Sequence, residues 1–230
     1  MGIIEKIYQT LAIWIELLLC RFNRLFPDKG VILMFHHISD EDINIMDCCK
    51  CKITRFKEII RNVETNFEIV SIDDIYKENS KRVAVITFDD GCKDVYLNAY
   101  PFLKEHNIPF TVYLVSSFIG KKGYMSKDDI LVLAKDPLVT IGFHTVKHNN
   151  LRFESSLECE MWKGKLCLET LIGRKISHFA FPYGKITNIG FKSIFYGFKL
   201  DYTTIVSTFD SHLSPITMLF PKFLPRKIYM

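Results

Sequence analysis

The chain has 230 residues, 48% of them hydrophobic and 24% charged, which suits one well-buried globular domain and is short for two. Its net charge of +4 is mild, and no Lys/Arg block is long enough to suggest a nucleic-acid tail. Seven cysteines, an odd count without regular spacing, argue against a disulfide framework and for a reducing compartment.

The first predicted element is a helix over the apolar stretch Ile7–Phe22, which Glu16 interrupts and which is too short to span a bilayer. Ile3, Ile4, Ile7, Leu11, Trp14, Leu18 and Phe22 fall roughly on one helical face. Such a stripe suits a helix packed on the domain or one lying in a membrane interface, and both uses stay open. Glu5 precedes the apolar part and no small-residue cleavage site follows, which fits a signal peptide poorly. The expected location is therefore cytoplasmic, with peripheral contact at the inner face of the membrane if residues 3–22 have the membrane use. Pro27-Asp28-Lys29-Gly30 breaks this helix and separates a helical extension, 1–29, from a domain, 30–230.

Val31–Phe35 reads as a strand ending at His36-His37, and Ile38–Lys52 as an irregular loop. The loop holds Cys48-Cys49-Lys50-Cys51, residues that suit a soft metal. No second Cys/His pair stands at zinc-finger spacing nearby, so a solvated loop with free thiols is the expectation. Thr54 is the predicted cap of a helix over Arg55–Asn66, followed by a strand at Phe67–Val70 and a helical turn at Ser71–Lys77. Val83–Phe88 is a β-branched apolar run stopped by Asp89-Asp90-Gly91, the pattern of a strand buried on both faces.

The alternation continues. Helices are expected over Lys93–His106, with a break at Pro101, over Lys127–Ala134, capped by Ser126, and over Ser155–Leu171, closed by Gly173. A last one is expected over Ile189–Tyr196, closed by Gly197. Strands are expected at Pro109–Val115, Val139–Phe143, Ile176–Phe181 and Tyr202–Val206. About seven strand–helix units in fewer residues than a full eight-unit barrel usually takes predict an α/β fold, a distorted or incomplete (β/α)7 barrel with an extra N-terminal helix.

Four strand ends then carry polar residues toward one face: His36-His37, Asp89-Asp90, His144–His148 and Phe181–Gly184. His144 and His148 are four apart, so one helical turn would stack both imidazoles. Two neutral imidazoles and one carboxylate around a cation leave a position open for water, and the second aspartate is then free to act as a base. Each piece also has a plain structural use: a turn or cap for Asp-Asp-Gly, a solvated helix face for His-x-x-x-His, a turn for Pro-Tyr-Gly. His37 reads as one of a core–surface histidine pair. The coincidence of all pieces at one end of successive strands lifts the set.

ITFDDG at Ile86–Gly91, HTVKH at His144–His148 and FAFPYG at Phe179–Gly184 closely resemble the first three motifs of the polysaccharide deacetylases, the NodB homology domain or carbohydrate esterase family 4. LMFHHIS, KEHNIPFTVYLV and the terminal LPRKIY resemble its short members, so the likeness runs from about Gly30 onward. The resemblance implies hydrolysis of N-acetyl groups on amino sugars with Zn2+ or another divalent metal such as Co2+ or Ni2+. Carried over by motif, Asp89 is the general base, Asp90, His144 and His148 are the metal ligands, and the Tyr183 N–H helps to hold the oxyanion. The pattern departs at Ala180, where many members have an arginine that orients the catalytic aspartate; Arg226 is the substitute expected here. The usual late Leu-x-His, whose histidine protonates the leaving amine, is not visible, which leaves His36 and His212 as possible acids.

The expected substrate is an N-acetylated amino-sugar glycan or a lipid- or nucleotide-linked precursor of one. A non-sugar amidohydrolase of the same fold, and a catalytically inactive carbohydrate-binding member, are the alternatives.

Overall fold

The structure, a computed structural model, describes residues 3–41, 49–77, 81–209, 211–215, 217 and 224–228. Its frame is one sheet of parallel strands: β1 (Gly30–Phe35), β4 (Glu68–Ile69), β5 (Val83–Phe88), β6 (Phe110–Leu114), β7 (Val139–Phe143), β8 (His178–Ala180), β9 (Thr204–Val206) and β10 (Lys227–Ile228). They run in the order β10-β1-β5-β6-β7-β8-β9, with β4 also on β5. A separate pair, β2 (His37–Ile38) and β3 (Lys50–Cys51), lies beyond the end of β1. The helices are α1 (Ile3–Asn23), α2 (Ile53–Asn66), α3 (Tyr100–Glu105), α4 (Lys127–Lys135), α5 (Gly164–Ile172), α6 (Ile186–Ile189) and α7 (Phe191–Lys199).

Right-handed crossovers of this kind curl the sheet into the incomplete barrel that the alternation predicts. The gap between its edges, β9 and β1, is spanned by a short stretch rather than by an eighth β/α unit. Leu224 donates to Ile205 O at 2.8 Å and accepts from Ser207 N at 3.0 Å. Three residues on, Lys227 and Ile228 lie beside Leu33 and Met34 of β1. Arg226 is therefore carried into the ring between two edges it helps to join.

Strand periodicity sets the core. Ile32, Val83, Val85, Tyr113, Ala180 and Val206 cluster together with Leu213 and Leu224 inside the curl. Leu33, Ile86, Phe88, Val112, Phe143 and Phe179 instead pack outward against the helices. Along β5 the inner series Val83, Val85, Thr87 leads to Asp89, so the rhythm that buries the strand also aims a carboxylate inward.

Several local expectations shift by a turn, each for a physical reason. α2 starts at Ile53, whose N–H is met by Asp40 Oδ1 at 3.0 Å, so the proposed Thr54 cap is not used. The break at Pro101 is a π-turn over Val95–Ala99 that leaves Pro101 in the first turn of α3, where its missing N–H costs nothing. Ser126 caps α4 in a full capping box with Asp129. The helix expected to close at Gly197 instead breaks at Gly190, φ +78°, and α7 runs past Gly197 to Lys199. Gly197 is there for packing, because a Cβ would stand 3.0 Å from Ile205 Cδ1. The stretch 38–52 is not wholly loop: β2 and β3 pair in parallel, and Cys51 is buried. Cys48 lies outside the described residues.

α1 packs on the barrel with a face the sequence did not suggest. Tyr8, Ala12, Ile15 and Cys20 meet Ile186 and Phe209. Glu5 makes a two-pronged pair with Arg152 at 2.8 and 2.7 Å, and the Arg152 guanidinium lies 3.3 Å over the Tyr8 ring. Ile3, Ile7, Leu11, Trp14, Leu18 and Phe22 point the other way and are exposed, Trp14 at 60%. No described helix is long and apolar enough to cross a membrane.

Candidate active site

The two adjacent aspartates after β5 are separated by a change of backbone. Asp89 continues the strand, its N–H bonded to Phe35 O at 2.9 Å, whereas Asp90 turns left-handed at φ +69° and Gly91 follows at +77°. The turn is tight: a Cβ on Gly91 would meet Leu114 Cδ2 at 2.6 Å. Neighbouring carboxylates thus leave the chain in different directions.

Asp89 goes down into the ring, where Arg226 takes it in a fork: Nη1 to Oδ1 at 2.6 Å and Nη2 to Oδ2 at 2.8 Å, with both side chains buried. The guanidinium is itself held by Ser207 O at 3.3 Å from Nε and by Thr87 Oγ1 at 3.5 Å, and lies over the Tyr113 ring at 5.4 Å. Burial alone would raise the Asp89 pKa, but the charges of Arg226 and His144 and the Arg226 hydrogen bonds win and bring it down to about 2.

Asp90 sits at the mouth. Its Oδ1 lies 3.4 Å from His148 Nε2 and 3.6 Å from His144 Nε2. His144 Nδ1 is 2.8 Å from Ala180 O, an atom that can only accept, so the proton is on Nδ1 and Nε2 presents a lone pair. Burial holds His144 down to about 3 and lowers His148 as well, so both rings are neutral near pH 7. Burial also pushes Asp90 up to about 6, with the charge of Asp89 adding to it and those of His36, His37 and Arg226 opposing.

His144–His148 is not a helical turn. Thr145 and His148 are both left-handed, at φ +68° and +58°. The loop is held from beneath: Glu160 accepts from Val146 N and Lys147 N at 2.9 and 3.0 Å, and Thr145 Oγ1 accepts from His148 N at 3.0 Å. Gly164 lets the helix bearing Glu160 come close, since a Cβ there would stand 2.3 Å from Val146 Cγ2. The imidazoles end 4.9 Å apart, edge to face, by loop geometry rather than helical repeat.

The remaining candidates divide. His36 leaves β1 half-buried, close enough for its charge to bear on both aspartates. Tyr183, φ +61° and 54% exposed, packs its ring 4.8 Å from that of His148, and its N–H has no acceptor among the described residues. His212 is removed from the set. It follows Ser211 and precedes Leu213, which bridges Gly30 at the start of β1, and its Nε2 approaches Phe26 O at 3.3 Å, so it lies at the opposite end of the strands from Asp89.

Asp90, His144 and His148 offer ligand atoms that all lie within 4.8 Å of one another. Among the described residues Asp90 Oδ1 is buried without a hydrogen-bond partner, faced by the Nε2 lone pair of His144 and by Nε2 of a neutral His148. A carboxylate oxygen and two neutral imidazole nitrogens that converge without a hydrogen bond to that oxygen suit a divalent cation, and a carboxylate with two imidazoles suits zinc and its neighbours. The residues present fit the metal that the motif resemblance implies.

A curled parallel sheet with this donor set at the carboxyl ends of its strands defines a hydrolase-type β/α half-barrel. The family described as "Polysaccharide deacetylase" matches residues 76–193, and the chain belongs to it. Among curated relatives, YxkH of Bacillus subtilis is 27% identical over 111 residues, covering 47% of this chain and 39% of that protein. The poly-beta-1,6-N-acetyl-D-glucosamine N-deacetylase of Staphylococcus aureus is 25% identical over 155 residues, covering 59% of this chain and 53% of the relative. The chain thus spans at most about half the length of these curated relatives. Two solved structures share the fold. Streptococcus pyogenes deacetylase PplD has a TM-score of 0.77 at 21% identity, over 89% of this chain and 93% of that one. A polysaccharide deacetylase from Bacillus cereus has a TM-score of 0.73 at 21% identity, over 87% and 64%.

Two supports lay beyond the sequence reading. Glu160 has no local signal, being one acid among several in a predicted helix. The Asp94–His37 pair, joined at 2.6 Å, was hidden because His37 looked like a surface partner of His36.

Proposed function

We propose that this chain is a metal-dependent hydrolase that removes N-acetyl groups from an amino-sugar glycan. One observation carries the reading: an Asp90/His144/His148 set, His144 buried and the other two half-buried, converging with Asp90 Oδ1 left without a hydrogen-bond partner, beside a carboxylate that a buried arginine keeps ionised. A divalent cation held by Asp90, His144 and His148 would polarise the acetamide carbonyl and lower the pKa of a water. Asp89 accepts the proton of that water, and the fork from Arg226 fixes its orientation. The Tyr183 N–H donates to the oxygen as it gains charge. His36, at the edge of both aspartates, hands a proton to the departing amine nitrogen. The ionised Asp89 and the free Tyr183 N–H favour a hydrolase over an inert binding module, which would need neither.

The Staphylococcus relative is named for poly-beta-1,6-N-acetyl-D-glucosamine, which favours a glycan of that chemical class here. Residues 1–29 are read as a helical extension of a domain over 30–230. α1 turns both of its acids inward, Glu5 to Arg152 and Glu16 to Ile186 N, so the exposed charges along it are the cations Lys6 and Arg21, with Arg24 just beyond its end, beside an apolar stripe. That combination suits peripheral contact with an anionic membrane, a lipid-linked precursor as substrate, and a cytoplasmic-face location.

Acetate release from N-acetylated oligosaccharides, nucleotide sugars and lipid-linked sugars, measured after adding Zn2+ or Co2+, tests the activity. Release from none of them by metal-loaded protein overturns it. Flotation with phosphatidylserine vesicles tests the membrane contact, and protein that stays at the bottom of the gradient removes it.

A further inference from the structure

A cavity that the proposed hydrolysis does not use lies between α1 and α7. It is a groove of about 320 Å³ with Ile15, Leu19 and Phe22 of α1 on one wall and Phe191, Ile194 and Phe198 of α7 on the other. Leu19, Phe22, Phe191 and Phe198 are exposed along it. Apolar side chains that line one slot in this way mark a binding surface rather than scattered surface residues.

The polar groups at one end of the groove are spent on one another. Asn23, buried, donates from Nδ2 to Ser211 Oγ and to His212 O, both at 2.7 Å, and its Oδ1 accepts from Ser214 Oγ. Thr217 Oγ1 accepts from Ser214 N at 2.8 Å and donates to Ser214 O at 3.0 Å. A peptide laid in the slot would bury amides with nothing to meet them, whereas a hydrocarbon chain makes no such demand.

Charge says what the chain should carry. The acids of α1 turn inward and α7 has none, while Arg21, Lys192 and Lys199 are exposed on the flanking helices. Beyond Asn23 the groove meets a cleft lined by Arg24, Arg82, His212 and Lys227, and Ser211 lines both. Asp28, the one acid among the described residues of the cleft's lining, is already held by Arg82 at 2.7 Å and by Gly30 N at 2.9 Å. Arg24 and Lys227, both exposed, are left for an anion. An apolar slot that runs into a basic cleft fits an amphiphile ended by a phosphate.

We propose that this flank is a binding site for a phosphate-headed lipid, with one hydrocarbon chain in the groove between α1 and α7 and the phosphate at Arg24 and Lys227. The phosphate would sit with His212 at the end of the strands opposite Asp89, so this lipid is a ligand apart from the reaction rather than its substrate. The site is also distinct from bilayer contact through the outward stripe of α1, since Trp14 and Leu18 of that stripe do not line the groove.

Myristoyl lysophosphatidic acid, kept below its micelle threshold and titrated into the full chain by calorimetry, tests the site. Saturable binding of one molecule per chain is expected, and neither inorganic phosphate nor uncharged monomyristoyl glycerol should match it. Leu19→Glu puts a charge in the slot and is expected to abolish binding. Arg24→Glu reverses a charge beside the phosphate and is expected to weaken binding by on the order of tenfold. Both replaced side chains are exposed, Leu19 at 49%, so neither change opens the core. Trp14→Ser, outside the groove, should bind the lipid as wild type does. No saturable binding, binding that survives Leu19→Glu, or binding equalled by Arg24→Glu or by the uncharged lipid overturns the site. Acetate release is not the readout, so failure of this site and failure of the hydrolysis are told apart.

Discussion

The floor and the mouth of the active site begin one residue apart and are built on opposite principles. On the floor, Asp89 meets a fixed cation, Arg226, and its charge is settled by the fold. At the mouth, Asp90 meets two neutral imidazoles, and its charge is left unbalanced. The difference teaches which carboxylate belongs to the protein and which waits for a ligand. Exchanging each for its amide is the sharpest way to break the comparison. Asp89→Asn keeps the donor set and removes the base, so metal content should persist while kcat for acetate release falls by on the order of 100- to 10,000-fold. Asp90→Asn should lose both, read by metal analysis beside the same assay. Equal loss of metal in the two variants would erase the distinction.

Arg226 tests the floor by stability. Arg226→Met leaves Asp89 buried without its partner, and removing one member of such a pair typically costs about 3–5 kcal/mol. Chemical denaturation should show a loss of that size. Adding Asp89→Asn to Arg226→Met should recover part of it, since the stranded charge is gone. Two independent costs that simply add would mean that the 2.6 and 2.8 Å contacts contribute little.

The floor was only partly legible in sequence, and the mouth more so. Strand β5 and its Asp-Asp-Gly end were readable because a buried parallel strand is a continuous apolar run and the turn after it needs glycine. His144 and His148 were readable by motif, but their spacing suggested a helix, whereas two left-handed residues and Glu160 shape a loop. Periodicity carries no information about a loop whose conformation is fixed by a distant carboxylate. Arg226 could be suspected from its need, while its position depends on the closing stretch that touches both sheet edges. On α1 the longer apolar stripe suited either packing on the domain or a membrane interface, and the protein packs the shorter one. Ala12 allows close approach and the Glu5–Arg152 pair fixes the rotation, both tertiary facts. His37 and Asp94 are far apart in sequence and meet only through β2 and the turn after Asp90.

Acid titration of the metal-free protein separates floor from mouth by sign. Asp89, lowered to about 2 from an ordinary 3.8, adds stability above pH 3.8, about 2 kcal/mol, that is lost as pH falls toward 2. His144, lowered to about 3 from 6.5, likewise loses its contribution as pH falls below 6.5, and His148 shifts the same way. Asp90, raised to about 6 from 3.8, has the opposite sign: its charged form costs stability at neutral pH, and the cost is relieved between pH 6 and 3.8. Asp90 therefore offsets part of the histidine loss above pH 4, and stability should drop steeply only below it. In Asp90→Asn the decline should start near pH 6. Superimposable stability–pH curves for variant and wild type would show that Asp90 is not held in the environment described.

The smallest expected effect falls on the mouth's scaffold. Glu160 touches neither Asp90 nor an imidazole, and it holds the loop between them through two N–H donors at 2.9 and 3.0 Å. Both donors reach the same oxygen, Oε2, so a glutamine could still meet them through its amide oxygen, whereas Glu160→Met keeps the length of the side chain and removes the acceptor from both. The loop then relaxes, and His148, whose left-handed backbone depends on that loop, loses its fixed direction. Supports one shell out from a metal typically change affinity by about 10–100-fold, so Zn2+ or Co2+ binding should weaken by that range. Saturating metal should then restore kcat, which separates Glu160 from Asp89, whose loss no amount of metal repairs. A Glu160→Met protein that binds metal as wild type does would mean that the loop is set by Thr145 and Gly164 alone.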